Sequence, residues 1–257
     1  MILRRLSRAI REQNWFAVIL EFVIVVVGVA AGFQLTERYN EAQRASAESE
    51  YLTGIATDYM IYQNILICRM DIENEIMLGL THVLDAIDGA ELDERQQARA
   101  NLAMTMSHIS QPGVPLEGNT SALVAGDLVG TISDDELRGL ILAAQSISTS
   151  AVTAMSQIHS FMLTTPLIDW HTVREFDPEH GYYGTTGFDP EVLGAQPDIR
   201  NILMDLYNLH RSAQSTDERQ KIAVDNVLRR LEELGVREPP LEEPQCWNGP
   251  LPTADVD

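Results

Sequence analysis

Glu21 is the one ionisable residue in WFAVILEFVIVVVGVAAGFQL, the apolar run from Trp15 to Leu35. A carboxyl group facing lipid costs about 3 kcal/mol or more, so Glu21 should face protein or water. Gly28 and Gly32 form a G-x-x-x-G pair, a spacing that lets two helices approach closely. At 100° per residue both glycines flank the stripe of Glu21, and Val25 shares it. Glu21, Val25, Gly28 and Gly32 are therefore a candidate membrane-helix contact face. The competing reading has Glu21 hydrated near the cytoplasmic interface and the glycines unrelated to it.

Two cysteines, Cys68 and Cys246, exclude a disulfide-dense scaffold or a four-cysteine zinc site. In an oxidising compartment they could pair and pin a C-terminal tail to the body. The other reading is two separate thiols, with Cys68 a small core hydrophobe.

The six histidines match no metal-ligand spacing. His171 and His180 fall among acids in WHTVREFDPEH, but without a helix-face pattern, so no metal site is assigned. There is no G-x-S-x-G elbow, H-E-x-x-H pair or phosphate loop. Acidic pairs such as Asp134/Asp135 and Glu232/Glu233 read as solvated helix faces. The candidate ligand site is the loop 176–197, FDPEHGYYGTTGFDPEVLGAQP. There Phe176, Tyr182, Tyr183 and Phe188, with nearby Trp170, offer flat apolar area between glycines. The same aromatics could instead fold back onto the protein's own body.

Composition narrows the partners. The formal net charge of −20 argues against nucleic acid, because phosphate binding needs a basic surface. Lys221 is the only lysine, so lysine chemistry has almost no candidates.

The elements that must position these residues begin with the apolar run. A helix of that length rises roughly 30 Å, the thickness of bilayer hydrocarbon. Arg4, Arg5, Arg8 and Arg11 precede it, whereas its other flank is mostly acidic. The positive-inside rule then puts the N-terminus in the cytoplasm and the C-terminal part in the periplasm. A cleaved signal peptide is the rival reading, with Val29-Ala30-Ala31 as the cut. However, the run exceeds a signal's apolar core and contains a glutamate.

Helical periodicity continues through Ile55, Tyr59, Tyr62, Leu66, Ile76, Leu80, Leu84 and Ile87. It predicts one helix from about residue 13 to about 88, with Thr36–Tyr39 the place for any break. A second helix fits Asp93–Ile109 and a short one Thr120–Leu128. Ser133 and Glu136 form a capping box for a long helix ending before Pro166. A final helix starts at Pro197 and closes at Gly235. No strand pattern stands out. The expected fold is all-α, with one N-terminal transmembrane helix continuing into an extracytoplasmic helical bundle. Its parts are a basic segment 1–14, a membrane helix 15–35, a helical domain 36–236 and a proline-rich extended tail 237–257.

Several of these residues also follow a familiar order. The glutamate-led run EFVIVVVGVAAGFQL precedes Tyr39-Asn40-Glu41, Glu50-Tyr51-Leu52 and Asp58. The segment NTSALVAGDLVGTISDDELRG then carries Asn119, Thr120, Leu123, Gly126, Asp127, Leu128, Ile132, Leu137 and Arg138. This order resembles an uncharacterised family of bacterial single-pass membrane proteins with a helical extracytoplasmic domain. The resemblance covers roughly residues 13–145. Tyr39 stands where tryptophan is usual, and Thr36-Glu37-Arg38 replaces an asparagine-rich stretch. The resemblance implies a place in the inner membrane and carries no activity.

The expected role is a non-enzymatic inner-membrane accessory or scaffold protein without cofactor. It would act through contacts with a second copy or with another membrane or periplasmic protein. The alternative is an extracytoplasmic sensing or ligand-binding module that signals through a partner.

Overall fold

The structure, a computed structural model, describes residues 15–108, 113–126, 128–164, 173–177, 182–236 and 246. Segment 1–14, Trp170, His171, His180 and the tail from 237 apart from Cys246 lie outside the described residues. Helix α1 spans Trp15–Ile87 and runs through Thr36–Tyr39 unbroken. Gly89 ends it at φ +89°, a left-handed conformation that glycine adopts without steric cost. The Ala90 N–H then donates to the Asp85 carbonyl at 3.0 Å, closing the last turn.

The chain divides into two compact units between Glu50 and Tyr51. In the first unit, every side chain from Ile19 to Gln43 is exposed. The second unit starts at Tyr51. Its first deeply buried side chains are Ile55, Ala56 and Tyr59.

The second unit is built on three long helices: the later part of α1, α4 (Asp135–Thr164) and α6 (Ile199–Glu233). Ile55, Tyr59, Tyr62 and Leu66 pack with Leu137, Ile141 and Ala144, and with Val224, Val227 and Leu231. Further along α1, Ile76, Leu80 and Val83 pack with Ile199, Leu203 and Leu206. Thus α6 runs antiparallel to α1. It is antiparallel to α4 as well, because Met155, Ile158 and Met162 meet Ala213 and Leu209. Each fully buried side chain of this size contributes roughly 1.5–3 kcal/mol.

Shorter elements bridge α1 to α4. Helix α2 (Glu94–Met106) begins with a capping box between Asp93 and Gln96. Arg99 ties it to α1 through both Glu75 carboxylate oxygens, at 2.6 and 3.1 Å. At Gly79 the backbones of α1 and α2 come close: a Cβ there would lie 2.1 Å from the Arg99 carbonyl oxygen. Helix α3 (Asn119–Ala125) and a 3-10 turn (Leu128–Thr131) complete the link.

The fold is all-α, with one departure from the expected loop 176–197. Val173–Asp177 (β1) and Tyr182–Gly187 (β2) pair as an antiparallel ribbon, with Phe176 opposite Tyr183 and Asp177 opposite Tyr182. Tyrosine and threonine favour extended backbone, and the stretch between the strands, with Pro178 and Gly181, is short enough for a hairpin. Strand β2 lies beside α2. A short helix, α5 (Pro190–Gly194), follows, capped by Asp189.

Helix α4 starts at Asp135, and the Asp134 carboxylate accepts the Leu137 N–H at 2.7 Å, which caps its first turn.

Candidate functional site

Glu21, Val25, Gly28 and Gly32 lie on one stripe of α1 and all are exposed. Their larger neighbours are as open, with Phe22 at 68% and Ile24 at 61%. A Cβ on Gly28 or Gly32 would meet nothing within 4 Å. The Thr36 hydroxyl donates to the Gly32 carbonyl at 3.0 Å, so the polar group just beyond the run is satisfied within the helix. One 18-residue window of this helix has a mean hydropathy of 2.1, and none of it is buried.

Cys68 and Cys246 are joined by a disulfide, their Cα atoms 4.5 Å apart and 178 residues apart in sequence. Closing so long a loop restricts the unfolded chain by about 5 kcal/mol in the entropic model.

Part of the candidate ligand loop is a paired ribbon. Phe176, Tyr182 and Tyr183 belong to the paired strands. Phe188 is half-buried and packs against the cluster of Ile76, Leu80 and Leu203. A groove lies elsewhere in the second unit. It is an open trough of about 390 Å³ between α4 and α6, lined by Ser146, Ser150, Ala154, Thr216, Arg219 and Ile222.

Sequence reasoning missed a belt of buried polar side chains across the centre of the bundle. It separates the two apolar clusters of α1 and α6. Arg69 Nε donates to Asp217 Oδ2 at 2.9 Å, with both side chains out of water. Burial pushes the Asp217 carboxyl above its ordinary range, the Arg69 charge pulls it back, and the Glu73 charge adds to the push. Gln220 donates to the other Asp217 oxygen at 3.3 Å. The Gln220 amide oxygen takes the Tyr62 hydroxyl, which also lies 2.7 Å from the Val114 carbonyl and 3.2 Å from Ser148 Oγ. Burial, the largest cause, raises the Tyr62 pKa.

His210 is the second half of this belt. It is fully buried. Its Nδ1 faces Glu73 Oε2, and its Nε2 lies 3.0 Å from the Ser107 carbonyl oxygen. Both ring nitrogens thus have a polar neighbour inside the bundle. The belt is therefore a seam of paired polar groups.

Three residues from the motif order, Asp58, Asn119 and Thr120, meet in the second unit. Asp58 accepts hydrogen bonds from the Thr120 N–H at 2.9 Å and from the Asn119 amide at 3.3 Å. This caps α3 from another helix. Gly118, at φ +86°, makes the approach possible, since a Cβ there would lie 2.6 Å from Asp58 Oδ1. Arg138, from the same motif, donates to the Ile132 carbonyl at 2.6 Å.

No group of three or more His, Cys, Asp or Glu among the described residues could hold a metal ion. The buried acids are paired with Arg69 and His210 rather than converging on open space. Set against protein-family models, curated proteins and solved structures, the chain shows no match.

Proposed function

We propose that this chain is a single-pass bacterial inner-membrane protein that works as a non-enzymatic accessory or scaffold through protein–protein contacts. Its N-terminus is cytoplasmic and its helical domain periplasmic. The observation that carries this reading is the fully exposed apolar stretch of α1. A run of that length has no place in water, and a bilayer supplies both its solvent and its thickness. The N-terminal arginines set the orientation by the positive-inside rule. The Cys68–Cys246 bond fits an oxidising compartment. The order of motifs around Glu21, Asp58, Asn119 and Arg138 supports the single-pass family. A packed interior, with its buried charges matched, suits a body that presents surfaces rather than one that encloses a substrate.

The α4–α6 trough favours a second reading, a module that senses a small ligand. Its size fits such a molecule, and Arg219 offers one charge at its edge.

Two measurements test the proposal. A periplasm-active reporter fused after Asp257 should be active, and the same reporter at the N-terminus silent; the reverse overturns the topology. Purification in mild detergent should then yield a stoichiometric protein assembly that Gly28→Leu disrupts. A purified chain that stays monomeric and instead binds a small molecule lost in Arg219→Ala supports the second reading.

A further inference from the structure

Several basic residues on the long helices have an acid one turn away. Arg229 pairs with Glu233, Lys221 with Asp225 and Arg138 with Asp135. Arg219 is placed differently. Its neighbours three and four residues off are Ser215, Thr216, Ile222 and Ala223, so α6 gives it no carboxylate. Its Nε donates to the Ser215 carbonyl at 3.3 Å, and among the described residues no ion pair holds the guanidinium.

Arg219 stands at the edge of the trough between α4 and α6. The facing wall offers it no acid either. No Asp, Glu, Lys or Arg occurs between Arg138 and Asp169, so α4 beyond its first turn has none of them on any face. The outer face of a helix in water ordinarily carries charge. Here Leu142 and Ile147 are exposed instead, at 48% and 37%. In a chain of net charge −20, no acid lines the trough and one cation does.

The hydroxyls narrow the chemistry further. Ser150 donates to the Ser146 carbonyl and Thr216 to the Ser212 carbonyl, both at 2.9 Å. Those protons are used within the helices, and the η nitrogens of Arg219 are the cationic donors that remain. Between them the surface is apolar, with Ala151 buried and Ile147, Ala154 and Ile222 beside it. A positively charged molecule would find no carboxylate there. A carboxylate would find a planar fork of N–H donors that it can engage through two parallel bonds. The chain's overall negative charge is screened within about 8 Å at physiological salt, so at contact distance the guanidinium decides.

We infer that the trough binds a small monocarboxylate with an apolar body. The carboxylate pairs with Arg219, and the body lies along Ala151, Ala154 and Ile222. The site deepens the ligand-sensing reading above and rests on it, naming the ligand class and the side chain that selects it. The volume of about 390 Å³ is at the small end of ligand sites, which suits one ring or a short chain.

Three probes of one shape test the site on the full chain in phosphatidylcholine nanodiscs, with empty nanodiscs as the blank. They are 3-phenylpropanoate, its amide and 3-phenylpropylamine, with a negative, a neutral and a positive head. Titration calorimetry should show the acid binding about tenfold more tightly than the amide, and the amine weakest. This ranking on the parent chain needs no variant. Arg219→Gln should bring the acid to the level of the amide, and Arg219→Lys should keep part of the preference, as a charge without a fork. Ser150→Trp, which fills the trough, should abolish binding of all three. Arg219 and Ser150 are both exposed, so neither change opens the core. Equal binding of acid and amide, or a preference that survives Arg219→Gln, overturns the carboxylate site. If Ser150→Trp still removes that binding, the ligand-sensing reading stands without it. No binding of any probe overturns both.

Discussion

Asp58 and Thr120, 62 residues apart, meet through a 2.9 Å hydrogen bond from the Thr120 backbone to the Asp58 carboxylate. One helix thereby caps another. The neighbouring glycines, Gly54 and Gly118, clear the space in which Asn119 and Asp58 sit. Asp58→Ala should lower the unfolding free energy by about 1–2 kcal/mol, as the loss of a capping side chain does. Asp58→Asn should cost less, and Gly118→Ala should be at least as harmful as Asp58→Ala. Denaturant titration of the detergent-solubilised chain checks the order; equal stability of all variants would contradict it.

Removing Arg69 alone should be far more damaging. Arg69→Met leaves the Asp217 carboxylate buried and unpaired, which costs about 3–5 kcal/mol. The double variant Arg69→Met, Asp217→Leu should recover much of that loss, because apolar groups of similar volume need no partner. A double-mutant cycle reads the coupling directly, and additive losses would show that the pair is not a unit.

Stability should depend on pH in two opposed ways. The carboxyl of Asp217 is raised in the folded chain, chiefly by burial. Its contribution is full below the ordinary carboxylate range and is lost as pH rises through the raised folded value. Asp134 and Glu233 are lowered, chiefly by hydrogen bonds from Arg230. Their contribution is present above the ordinary range and is lost as pH falls through their folded values. Arg230→Gln should therefore flatten the acid limb of a stability–pH curve. Asp217→Asn should flatten the limb above the carboxylate range, whatever it does to the overall level. Unfolding midpoints across pH check both slopes.

The tail bond offers a chemical test. Unreduced, denatured protein should show no reactive thiol at Cys68 or Cys246. Cys246→Ser should lower stability by up to about 5 kcal/mol, the chain-entropy limit for so long a loop. Labelling of both thiols without reductant would remove the bond from the fold.

The long helices were legible because their inward stripes are regular. Tyr62, Leu66, Ile76 and Leu80 on α1 and Ala213, Val224, Val227 and Leu231 on α6 keep three- and four-residue steps. The polar belt lies on those same stripes, at Arg69 and Glu73 and at His210, Asp217 and Gln220. Charged side chains read as solvated surface, so only their phase gave them away. The ribbon was obscured differently. Its strands are five and six residues long, one carries Arg174 and Glu175, and glycines interrupt the other. The exposed length before Tyr51 was hidden because helical periodicity does not say when a helix meets its neighbours. The disulfide pairing could be posed from two cysteines, but their closeness depends on where the tail returns.

The belt has a consequence for the newborn chain. Arg69 waits for Asp217, which follows it by 148 residues, and Glu73 waits for His210, 137 residues later. At a synthesis rate of about 5–20 residues per second, that is a delay of roughly 7–30 s. During it the first long helix carries an arginine and a glutamate on the face that must later be dry. Those charges keep the half-made helix hydrated and discourage it from burying that face against the wrong neighbour. The arrival of the last helix then turns the same charges from a safeguard into a latch.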